Sequence, residues 1–178
     1  MPPPAPPKSN ILRRFRRNRN GSAAVEFALV APVFFALLFA IIEIAMVFYA
    51  SQILETVTQD SARMILTGQA QNASYTQAQF KNLVCSKIVG LFDCVNGVSI
   101  DVQSYKAFGS VNIADPIDAT KTFVPPNNYL PGGPGDIVVV RVFYQWPLFV
   151  TGLGFNISNL SGSKRLLTAT AAFQNEPY

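Results

Sequence analysis

Histidine is absent from this chain of 178 residues. That removes the side chain that most often serves as general base and as metal ligand. There is also no G-x-S-x-G elbow, no phosphate-cradling glycine loop and no cluster of carboxylates. Hydrolytic, nucleotide-dependent and metal-assisted chemistry all lack their usual residues. A non-enzymatic role is expected, with no catalytic residue, no cofactor and no metal. Acid is missing from the first 20 residues, which carry Lys8, Arg13, Arg14, Arg16, Arg17 and Arg19. All 10 Asp and Glu residues come later, where they outnumber the bases. The basic character therefore belongs to the N-terminal arm alone. Cysteine is scarce: Cys85 and Cys94 are the pair.

An arginine cluster can bind phosphates through counterion release. No folded basic module accompanies this one, and a nucleic-acid partner is not expected. A basic run directly ahead of an apolar stretch marks the cytoplasmic flank of a membrane helix. From Phe27 to Ile42 no residue is charged, and after Glu43 the apolar character resumes as far as Ala50. As helix, Phe27 to Ala50 measures about 36 Å, enough to cross a hydrocarbon core of about 30 Å. The arginines place the N-terminus inside and the remainder outside.

A secretory signal peptide has a shorter apolar run, about 7–15 residues, and ends at a cleavage site. Here helical periodicity persists beyond the apolar run. In Ala50–Thr67 the positions Ile53, Leu54, Val57, Ser61, Met64 and Ile65 form one stripe. Gly68 is a suitable stop. One helix from about Ser22 to Thr67 is expected, roughly 70 Å long, lipid-soluble in its first half and amphipathic in its second. Pro32 is expected to kink its first turns. Glu43 lies about 25 Å along the helix from Glu26. It reads either as an intramembrane acid with a function or as an interfacial side chain, and no role is assigned to it.

Beyond Gly68, QAQNAS reads as a polar break. Ser74 with Gln77 matches a capping box for a second helix, which presents Phe80, Leu83, Val84, Ile88 and Leu91 on one face and ends near Gly90. Cys85 falls on that helix and Cys94 just past it. An even cysteine count in an exported region points to a disulfide, the alternative being two buried thiols. Three strands follow. Val98, Ile100 and Val102 alternate with Ser99, Asp101 and Gln103, the pattern of a half-buried strand. Asp136–Trp146 is rich in β-branched and aromatic residues and ends at Pro147, and Lys164–Gln174 is the third. Between the first two strands lies a long segment with repeated Pro and Gly, the best candidate for a surface contact, with disorder and a missed short strand as alternatives. GPGD at Gly133–Asp136 reads as a turn. Pro147–Phe155, PLFVTGLGF, is too short for a second span. The fold class is α+β: a long membrane-spanning helix continuing into a small head with a second helix and an antiparallel sheet.

The segment Gly21-Ser22-Ala23-Ala24-Val25-Glu26-Phe27 follows basic residues and precedes an apolar helix. It resembles the class III signal of prepilins, in which a prepilin peptidase cuts after the glycine. NGSAAVEFALVAPVFFALLF, SARMILTGQA and the C-terminal TATAAFQNEPY together resemble the TadE-like pilus assembly proteins, pseudopilins of the tight-adherence (Tad, Flp-type) pilus system. The resemblance implies a pilin-like fold and cleavage between Gly21 and Ser22. It gives Glu26 and Phe27 a part in subunit assembly, with the acid paired to the N-terminal amine of a neighbouring subunit. Phe27 departs from the tyrosine frequent at that place. The implied organisation is a cytoplasmic leader over 1–21, the transmembrane half of the helix over 22–50 and an exported head over 51–178. The implied partners are prepilin peptidase, other Tad pilins and inner-membrane assembly proteins, with the protein single-pass in the bacterial inner membrane and its head periplasmic. The alternative is an uncleaved, signal-anchored membrane protein whose periplasmic head binds a partner.

Overall fold

The computed structural model describes residues 21–88, 90–150 and 156–178. The arginine-rich arm and the end of the PLFVTGLGF segment lie outside the described residues. Helix α1 spans Ser22–Leu66 and is continuous through Pro32, because the flanking residues supply the remaining backbone hydrogen bonds of the ladder. By length and composition it can cross a membrane. Two compact units divide the chain at Phe39 and Ala40. In the first, the large apolar side chains from Val25 to Phe39 are exposed.

The second unit, Ala40–Tyr178, holds the core. Its part of α1 buries Ala40, Val47, Ala50, Leu54, Val57, Thr58, Ser61, Ala62 and Ile65. These recur every three or four residues, as one helical face must. The expected stripe is present, with Ile53 and Met64 at its partly buried rim. The expected boundary between residues 50 and 51 falls inside this unit.

Gly68 ends the helix in the left-handed conformation at φ 72°. The QAQN that follows forms a further helical turn, α2 (Gln69–Asn72), where the sequence reads as a break. That turn moves the next cap. Ser74 takes φ 52°, whereas an N-cap residue needs an extended backbone. The cap of α3 (Gln77–Lys87) is instead Thr76, at φ −78° and ψ 163°, in a reciprocal box with Gln79. The helix ends at Lys87, ahead of Gly90, with Ile88 already extended. Phe80 and Val84 are buried, while Leu83, Ile88 and Leu91 pack at the core's edge. A one-turn helix, α4 (Cys94–Gly97), leads into the sheet. Cys85 of α3 and Cys94 are joined by a disulfide with Cα atoms 5.6 Å apart.

The sheet is antiparallel in the order β1 (Val98–Tyr105), β2 (Ile137–Pro147), β3 (Lys164–Gln174). Val98, Ile100, Val102, Val138, Val140, Val142, Leu167, Ala169 and Ala171 share one hydrophobic cluster with α1 and α3. β1 is half-buried as expected, with Ser99 and Gln103 partly exposed, and one position departs from the alternation. Asp101 is buried, because the 107–135 segment covers the sheet's other face. Ile117 and Phe123 of that segment pack on Phe143, Leu160 and Leu166. Tyr129 bridges to Val102 beside it. The segment covers that sheet face, while most of its own residues remain exposed.

Candidate functional site

The helix start carries the residues singled out by the sequence. Ser22 is the first residue of α1 and Glu26 lies one turn on, so both side chains share a face. Ser22 Oγ donates to Glu26 Oε1 at 3.0 Å, and the pair is exposed. Phe27 is exposed too. Gly21 stands ahead of them in open space: a Cβ built there meets no atom within 4 Å, and its φ is not left-handed. Among the described residues, nothing packs against this position and its backbone does not call for glycine. Gly68 shows the contrast, since a Cβ there would lie 2.3 Å from the Tyr178 ring at a φ of +72°. At Gly68, unlike Gly21, both backbone and packing call for glycine.

Chemically, the helix start offers a carboxylate one turn from the residue that a cut after Gly21 would leave with a free ammonium. In a low-dielectric surrounding the carboxylate's attraction for an ammonium grows steeply.

Glu43 occupies a second position, one the sequence left without a role. Its carboxylate accepts the backbone amides of Phe149 and Val150, the latter at 3.1 Å from both oxygens. Two amide donors satisfy much of the hydrogen-bonding capacity of this anion. The acid thereby ties the residues after β2 to α1, 106 residues earlier in the chain. No local signal announces such a pair.

The C-terminal residues are fixed at the far end of α1. Glu176 donates its amide to Leu66 O at 2.9 Å, and Asn175 donates its side-chain amide to the carbonyls of Pro131 and Gly133. Nearby, Lys106 Nζ lies 2.7 Å from Asp136 Oδ1. That hydrogen bond, with the Gly133 amide, holds the Asp136 carboxyl below the ordinary carboxylate value. Burial pushes Tyr129 up to about 12, with Tyr75 adding to it. Among the described residues no group of His, Cys, Asp or Glu is placed to hold a metal ion. One open cavity of about 260 Å³ lies between α3 and β1, bounded by Gln77, Lys81, Ser99 and Asn127. It brings no nucleophile and base together.

A family model described as TadE, TadE-like protein, matches residues 21–63. The match begins at the glycine, includes Glu26 and Glu43, and ends within α1, so the sheet and the C-terminal segment lie beyond it. No curated protein matches the chain. No solved structure matches it.

Proposed function

We propose that this chain, TadE-like over residues 21–63, is a non-enzymatic minor pilin or pseudopilin in the biogenesis of a Tad pilus. In this reading a prepilin peptidase, acting as its processing partner, cuts between Gly21 and Ser22. The leader over 1–21 is lost and Ser22 becomes the mature N-terminus. The first half of α1 remains in the bacterial inner membrane, with the head on the periplasmic side. Tad pilins and inner-membrane assembly proteins are the partners met by α1 as subunits pack.

The observation that carries this reading is the arrangement at the helix start. A glycine with no close neighbour among the described residues precedes a serine one turn from an exposed acid. A glycine without a structural role is accounted for if another protein reads it. An acid at the mouth of an apolar helix is accounted for if its charge is later paired. Unpaired at the centre of a bilayer, such a charge costs about 2.5–3.5 kcal/mol on insertion scales. The ammonium made by cleavage supplies the partner, on a neighbouring subunit.

Intact-mass measurement of the protein extracted from its native membrane tests this directly. The expected species begins at Ser22. A chain beginning at Met1 or Pro2 contradicts the processing step and leaves an anchored head as the remaining function.

A further inference from the structure

Glu43 is the first charged residue after Glu26, and α1 is unbroken between them. From Ser22 to Ile42, a rise of 1.5 Å per residue gives about 31 Å of helix. That is the thickness of a hydrocarbon core. If the helix spans the bilayer, as the proposed function requires, Glu43 stands where the span leaves the hydrocarbon.

The residues bound to Glu43 are then held at the same depth. Leu148 is buried, and its amide donates to Ser163 O at 2.9 Å, so the turn is anchored from the sheet as well. Phe149, the next residue, is exposed. At 84% it is the most exposed large apolar side chain among the described residues. No acid occurs between Pro147 and Arg165, and the exposed Lys164 pairs with Pro147 across the β2–β3 ladder. An exposed phenylalanine beside a strand end that carries a lysine suits a bilayer interface, where apolar rings sink into the acyl boundary and cations meet the headgroups. The backbone donors on Glu43 also offset its charge at the boundary, so the acid is tolerated there.

We propose that the turn Pro147–Val150 is a second membrane contact, with the Phe149 ring inserted into the outer interface of the bilayer beside α1. Glu43 sets the depth of that insertion through its two amide bonds. The folded unit thus meets the lipid at two points, the helix and this turn. The inference rests on α1 spanning the membrane, and its test separates the two claims.

The full chain is reconstituted in vesicles of phosphatidylethanolamine and phosphatidylglycerol, with and without lipid brominated on its acyl chains. A W146F background leaves one tryptophan per variant. F35W reports the span, F149W reports the turn, and F108W reports an exposed position beyond the Tyr105 end of the sheet. The expected result is strong quenching of F149W and F35W by brominated lipid, with F108W unaffected. Quenching of F35W alone, with F149W emitting like F108W, overturns the second contact while leaving the span in place. Failure to quench F35W overturns both.

Discussion

Arg141 stands directly opposite Asp101 in the β1–β2 register, its Nη2 2.7 Å from Asp101 Oδ2, with both side chains almost fully buried. Each charge has further partners. Arg141 Nε donates to the same carboxylate, and Nη1 donates to Ala114 O in the covering segment. Asn128 and Gln103 donate to Asp101. One ion pair therefore joins two strands to the segment that hides them.

Breaking this pair from one side leaves a buried charge uncompensated. Arg141→Ala is expected to destabilise the folded unit by about 3–5 kcal/mol. Denaturant unfolding of the full chain in detergent, with limited proteolysis of the covering segment, measures it. A loss below about 1 kcal/mol, the range of a surface pair, would show that water reaches Asp101.

Gly68→Ala combines two costs, a left-handed backbone and a collision with the Tyr178 ring. The backbone part alone is about 1–2 kcal/mol for a residue with a Cβ. Tyr178→Ala is expected to recover the collision and leave the backbone part. A double-mutant cycle on melting free energies reads both. Full recovery in the double variant would mean that φ carries no strain.

Reducing the Cys85–Cys94 bridge opens a loop of sequence separation 9. On the chain-entropy estimate the loss is about 2–3 kcal/mol. Thiol labelling of both cysteines is expected to require reductant under native conditions. Labelling without it contradicts the bridge.

Asp136 gives the stability a pH dependence of known sign. The Lys106 hydrogen bond and then the Gly133 amide hold its carboxyl below 3.8 in the folded protein. The unfolded chain therefore binds its proton first as pH falls. The contribution is fully present above pH 3.8 and is lost as pH drops through the lower folded value. Melting temperatures measured down through this window should fall less steeply in Asp136→Asn than in the parent. Equal slopes would remove Asp136 from the account.

Glu26→Val is expected to leave membrane insertion and cleavage after Gly21 intact while blocking entry into the pilus machinery. Cell fractionation, mature mass and counts of surface pili separate the three effects. Normal piliation in this variant would end the case for charge pairing at the helix start.

The periodic elements were legible in the residues. An apolar run followed by a helical stripe marks α1 to within a residue of its end. A dense β-branched and aromatic run marks β2, because local pattern alone decides which face a regular element can bury. Choices between equivalent local signals were not legible. Ser74-x-x-Gln77 and Thr76-x-x-Gln79 both match the capping-box pattern, and only the second forms one, since Ser74 follows the extra turn α2 with a positive φ. Long-range pairings were least legible of all. The alternation in β1 turned Asp101 outward, and only the return of the 107–135 segment made that outward face an interior. Glu43 found its donors at Phe149 and Val150 in the same way, across a separation no local pattern spans. Rods and ribbons follow from neighbours a few residues away and can be read from the residues directly. The partner of each buried acid is set by folding, because a charge is satisfied by whatever the folded chain brings within about 3 Å.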